Sequence, residues 1–149
     1  MKTRLRELTK EDVSITLTPE PEDRSPAYHF LSEDCRSGKS EEDVELDRKM
    51  CEELDRRLAR GDQWAFFCAK VTVSWEGFSV SNYLGACSYE SGKDFCENSG
   101  HFEDMVEETL AELNGKLRDR LERLRPLLVV EPDAPAVDPA PAAVAADGG

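Results

Sequence analysis

The chain has 149 residues, 39% of them hydrophobic and 34% charged, and its formal net charge is −13. This length suits one domain of ordinary size, and no apolar run approaches the ~20 residues that a membrane-spanning helix needs. The acidity also disfavours direct binding to nucleic-acid phosphates or to anionic lipid, because both require a basic surface.

The cysteines and the N-terminus indicate where the protein resides. The charged residues at the start of the chain are not followed by an apolar stretch, so no secretory signal peptide is predicted. We therefore expect a cytoplasmic protein with reduced thiols. None of the five cysteines belongs to a C-x-x-C pair. They are Cys35, Cys51, Cys68, Cys87 and Cys96.

The first half of the chain predicts one strand and one helix. Val13, Ile15 and Leu17 alternate with polar residues, which is typical of a half-buried strand, and Pro19 ends it. Residues 19–40, with three prolines, are predicted to form a long loop. Ser40 then precedes three acidic residues, a helix-capping pattern, and the predicted helix ends near Gly61.

The second half predicts a β-hairpin followed by a long helix. Residues 64–75 and 78–89 both alternate with period two around Glu76-Gly77. Residues 91–100 are predicted to form a polar loop, and an apolar stripe from Phe102 to Leu124 predicts one helix that Pro126 ends. The order β-α-β-β-α predicts an α+β fold, with a small antiparallel sheet and two amphipathic helices packed on it.

The domain boundaries follow from these elements. Residues 1–128 are predicted to form a single α+β domain. Residues 129–149 are rich in Pro, Ala and Asp, a composition that cannot bury enough apolar surface to fold. They are predicted to be a disordered tail.

One part of the predicted sheet has two interpretations. Trp64, Phe66 and Cys68 lie opposite the core-facing set of the second strand. Either the 19–40 segment covers them, or Trp64 and Phe66 form a partner-binding patch.

No residue set specifies a reaction. Cys87, Cys96 and His101 have the chemistry of zinc ligands but not the usual close spacing. His29 and His101 are the only imidazoles and lie in no nucleophile motif, and there is no glycine-rich phosphate loop. We therefore predict a protein that is not an enzyme, with no cofactor and no metal. Asp47, within the apolar stripe of the first helix, is expected to accept a hydrogen bond or to reach water.

The two predicted helices carry their charges differently. The first mixes signs, with three favourable i, i+4 pairs, Glu45–Lys49, Glu52–Arg56 and Glu53–Arg57. The second has no basic residue between His101 and Gly115. Repulsion between its like-charge i, i+4 pairs therefore lowers the stability of the helix by roughly 1 kcal/mol. Its carboxylates resemble the charge array of a nucleic-acid backbone. The same acidic residues are also expected if the acidity serves only solubility or adaptation to salt. They are Glu103, Asp104, Glu107, Glu108 and Glu112.

The central segment carries a resemblance to a known class of proteins. Trp64-Ala65-Phe66-Phe67-Cys68, then Leu84-Gly85-Ala86-Cys87-Ser88-Tyr89 and the acidic start of the second helix, resembles small uncharacterised acidic proteins of phages and mobile elements. The likeness covers about residues 60–115. It implies an accessory protein that acts on host components, in the host cytoplasm.

These observations predict a non-enzymatic acidic interaction protein. Its partner-binding residues would be the five acids of the second helix, and its partner a basic macromolecule such as a host nucleic-acid-binding or defence protein. No membrane and no direct nucleic acid are expected. The alternative is a structural or assembly module that oligomerises through the Trp64 and Phe66 face.

Overall fold

The computed structural model describes residues 4–131 and confirms the α+β class. The strands are β1 (Ser14–Glu20), β2 (Phe67–Trp75) and β3 (Phe78–Cys87). The helices are α1 (Pro26–Phe30), α2 (Glu33–Arg36), α3 (Glu41–Ala59), α4 (Gly92–Asn98) and α5 (His101–Leu124). Short 3-10 turns occupy Lys10–Asp12 and Arg125–Leu127.

The predicted tail lies outside the described residues except for 129–131, which are exposed and belong to no helix or strand. The single domain over 1–128 stays a prediction. Within residues 4–131, no helix combines the length and the apolar character needed to span a bilayer.

The sheet is antiparallel, with strand order β1-β2-β3. Its alternation places apolar side chains on the face that α5 covers, as the period of two predicts. Val73 lies between Ile15 on β1 and Val80 on β3, and both Val71 and Val73 are fully buried. The predicted hairpin around Glu76 and Gly77 is confirmed.

Helix α5 is continuous through Gly115, as its unbroken apolar stripe predicts. It begins after Gly100, whose backbone has φ 75°, a conformation that glycine adopts without strain. It ends where Arg125 and Pro126 form a 3-10 turn, because proline cannot continue the hydrogen-bond ladder. The buried side of α5 consists of Met105, Val106, Thr109, Leu113, Asn114 and Leu117.

The N-terminal segment runs beside the second half of α5. The Leu8 N–H donates to Asn114 Oδ1 at 2.8 Å, and Asn114 Nδ2 donates to the Leu8 carbonyl at 3.1 Å. Arg118 extends the contact by pairing with Glu7 at 2.7 Å. These interactions join two segments that lie 106 residues apart in the sequence.

The two predicted loops contain short helices that the sequence analysis missed. Ser25, Ser32 and Ser91 each accept a backbone N–H at the start of α1, α2 and α4 respectively. These helices have only four to seven residues, too few to show a helical period. Phe95 of α4 is nonetheless fully buried in the main core.

The second strand begins at Phe67 and not at Trp64 as predicted. Asp62 holds the preceding residues in a turn: its carboxylate accepts from the Trp64 N–H and its carbonyl from the Ala65 N–H. The third strand ends at Cys87, two residues earlier than predicted, beside a register shift in which Ala86 has φ 54°.

Candidate functional site

Helix α5 carries opposite charges on its two halves. The first half holds the five acids named above, all exposed. The second half, residues 115–125, has five basic residues against two acidic ones. We call the set Glu103, Asp104, Glu107, Glu108 and Glu112 the acidic face.

The acidic face points away from the protein core. Met105, Val106 and Thr109 lie on the side of α5 that packs on the sheet, so the acids between them project into solvent. Because buried contacts hold the backbone beneath them, the five acids keep their relative positions along the helix. Acids four residues apart are separated by about 6 Å along the helix axis.

The protein itself neutralises little of this charge. Lys10 Nζ lies 3.7 Å from Glu107, and Asn82 donates a hydrogen bond to Glu112 at 3.2 Å. Among residues 4–131, no basic nitrogen lies within 4 Å of Glu103, Asp104 or Glu108. The Lys10 contact is exposed and long, so it contributes little.

Helix α3 provides an internal comparison, because three of its eight acids lie within 4 Å of a basic nitrogen. Glu53 contacts Arg56 at 2.7 Å and Arg60 at 3.7 Å, and Glu45 contacts Arg48 at 3.5 Å. The mixed-sign surface is as predicted, but the pairs differ from the three i, i+4 pairs expected.

Asp47 of α3 pairs with a residue outside the helix. Lys39 donates to its carboxylate at 2.7 Å, and the Asp47 side chain is half-buried. The acid inside the apolar stripe therefore has a structural explanation, since the ion pair compensates for its partial burial.

Trp64 and Phe66 do not form a common surface, which corrects the prediction of a partner-binding patch that the two share. Phe66 is 3% exposed and packs beneath His29 and Phe30 of α1. Trp64 turns to the other side and packs edge-on against Phe67. The strand alternation that placed them together fails because residues 62–66 form a turn. The 19–40 segment covers Phe66, as one of the two interpretations expects, but it does not cover Trp64.

Four of the cysteine thiols lie in partly or fully buried surroundings. Burial raises the pKa of Cys51, Cys68, Cys87 and Cys96, which favours the protonated thiol. Within residues 4–131, no group of three or more His, Cys, Asp or Glu side chains is arranged to hold a metal ion.

A groove at the far end of α5 was not predicted from the sequence. Arg4 and Arg6 of the N-terminal segment meet Arg118 and Arg125 of the helix around a groove of about 610 Å³. The two basic segments were visible in the sequence, each with a net charge of +3 over residues 1–10 and 115–125. Their meeting depends on the Leu8–Asn114 contact, which no local pattern reveals.

The chain matches no family model, and no curated protein or solved structure is significantly similar to it.

Proposed function

We propose that the protein is a non-enzymatic binding protein whose acidic face engages a basic macromolecular partner. The observation that carries this proposal is the set of exposed carboxylates on the first half of α5. Three of them, Glu103, Asp104 and Glu108, have no basic group within 4 Å in residues 4–131.

The helix dipole accounts for only part of the charge arrangement. Acids in the first turn of a helix are stabilised by its positive end, which explains Glu103 and Asp104. This stabilisation fades beyond the first turn. Glu107, Glu108 and Glu112 lie further along, where like charges four residues apart repel. A cationic partner removes that repulsion on binding, and its approach is steered by the same field.

The chemistry of the array also points to a class of partner. Regularly spaced anions on a rigid rod present the same kind of target as a nucleic-acid backbone. A nucleic-acid-binding protein has a basic surface suited to such an array. The resemblance to acidic phage-type proteins favours a host protein of this kind, or a defence component.

A charge-matched pair of variants tests the proposal. The first variant replaces Glu103, Glu107 and Glu108 with Gln and Asp104 with Asn. The control makes the same four changes at exposed acids of α2 and α3, namely Glu33→Gln, Asp34→Asn, Glu41→Gln and Glu42→Gln. Both sets change the net charge equally, and both remove acids from a first helical turn.

The readout is capture of basic proteins from a host lysate at about 50 and about 500 mM salt. We expect the wild type and the control variant to retain the partner at low salt and the α5 variant to lose it. Added duplex DNA should displace the partner if it binds nucleic acid through the same surface. Equal capture by both variants would show that the acidic face does not bind the partner.

The alternative of assembly through Trp64 and Phe66 receives no support from the geometry. Phe66 is buried within its own chain, and Trp64 packs in the main core cluster.

A further inference from the structure

The chain following α5 leaves a run of four large apolar side chains uncovered. Leu127, Leu128, Val129 and Val130 are 72%, 67%, 82% and 95% exposed. The four form a continuous sequence with no charge among them, followed by Glu131. Contiguous exposed apolar surface of this kind marks interaction sites more often than single exposed side chains do. We call residues 127–130 the apolar run.

An apolar groove of about 350 Å³ lies at the same end of the molecule. Leu5 and Leu124, 44% and 45% exposed, help to line it. The sheet contributes Trp75 and Phe78 at the hairpin, and Leu8 and Leu121 complete the apolar wall. The groove therefore offers large apolar side chains a concave site built from three separate segments.

Three basic side chains at this end of the molecule are already paired. Arg6 contacts Asp12 at 3.0 Å, and Arg125 contacts Glu122 at 3.1 Å. Arg118 is paired with Glu7, as described above. The lining of the groove itself is chiefly apolar, so it suits an apolar occupant.

One charged group of the groove remains without an acidic partner. The Arg120 guanidinium lies over the Phe78 ring at 6.0 Å from its centre, and no carboxylate in residues 4–131 lies within 4 Å of it. Glu131, next to the apolar run, is likewise exposed and unpaired within those residues. The groove and the run thus complement each other both in apolar character and in charge.

We propose that the apolar run of a second copy of this chain occupies the groove, reciprocally, in a two-fold dimer. Such an arrangement buries both uncovered surfaces at once, and places Glu131 of each copy at the groove that holds Arg120 of the other. An anionic membrane is a poorer occupant. A bilayer presents an extended plane, whereas the groove is concave.

Sedimentation of the full chain tests this proposal. We expect the wild type to dimerise over about 1–200 μM, and Leu128→Asp with Val130→Asp to raise the dimer Kd by at least about a hundredfold. These side chains are exposed in the monomer, so the double variant should keep its fold. Leu5→Asp, on the groove side, should have the same effect.

The control is Leu46→Asp with Met50→Asp on α3, whose side chains are also exposed. This variant adds the same two charges and should still dimerise. The wild-type dimer should persist at about 500 mM salt, because an apolar interface is not screened.

Two results would overturn the proposal: a wild type that is monomeric throughout the range, or a dimer that the Leu128 and Val130 changes leave intact. A monomer that instead binds vesicles rich in phosphatidylserine would assign the groove to a membrane surface. Salt separates this inference from the proposed function, since binding through the acidic face should be lost at high salt.

Discussion

Asn114 shows how one buried polar side chain fixes the position of a whole segment. It is 7% exposed, and its amide satisfies both the N–H and the carbonyl of Leu8. Asn does not stabilise the middle of a helix, because its side chain competes for the hydrogen bonds of the backbone. Its position is therefore explained by the contact with the N-terminal segment, and the sequence alone does not indicate that partner.

Replacing Asn114 with Ala should lower the free energy of unfolding by about 2 kcal/mol, since two buried backbone groups lose their partners. The control is Asn98→Ala, an exposed side chain bonded to Asp94, which should cost about 0.5 kcal/mol or less. Urea denaturation measures both. Equal small losses would show that Asn114 does not hold the segment.

Asp12 offers a prediction about pH at the same end of the molecule. Its hydrogen bonds to the Arg6 side chain and to the Thr9 N–H lower its pKa from 3.8 to about 2. Because the folded pKa lies below the unfolded value, the stabilisation is present above pH 3.8 and is lost as the pH falls through about 2. Arg6→Gln should move the titration midpoint of Asp12 upward in a carboxyl NMR titration. An unchanged midpoint would contradict the pairing.

The sequence predicts the helices and strands that are long enough to show several repeats of their apolar pattern. The alternation around Val71 and the stripe of α5 predicted the hairpin and the long helix. The helices α1, α2 and α4 could not be predicted, because they contain few residues and depend on serine caps and tertiary packing. The start of β2 was misplaced because a turn at Asp62 interrupts the alternation.

Two glycines in helices should respond oppositely to alanine. A Cβ on Gly92, the first residue of α4, would lie 2.8 Å from the Trp64 ring, so Gly92→Ala must displace a packed aromatic. A Cβ on Gly115 of α5 would meet only Arg118, at 3.7 Å. Gly115→Ala should therefore raise the free energy of unfolding by about 0.5–1 kcal/mol, whereas Gly92→Ala should lower it. Thermal unfolding of both variants gives the comparison, and a gain in stability for Gly92→Ala would show that the Trp64 contact is loose.

At the scale of the whole molecule, the fold separates charges that the sequence places on one helix. The acids of α5 were predictable as a group, because no basic residue interrupts them. Their lack of counter-ions could not be predicted, because it depends on where the basic N-terminal segment lies in the fold. The structure places residues 4–10 along the second half of α5, and among these residues Lys10 alone lies within 4 Å of an acid of the acidic face, Glu107.

We propose that this uncompensated charge binds a cationic partner. The most direct measurement is the affinity of the captured partner for the wild type, the four-acid α5 variant and the α2–α3 control across a salt series. For the wild type and the control, we expect an affinity that falls steeply as the salt concentration rises. For the α5 variant, we expect weak binding that hardly depends on salt. The same affinity and the same salt dependence for all three proteins would contradict it.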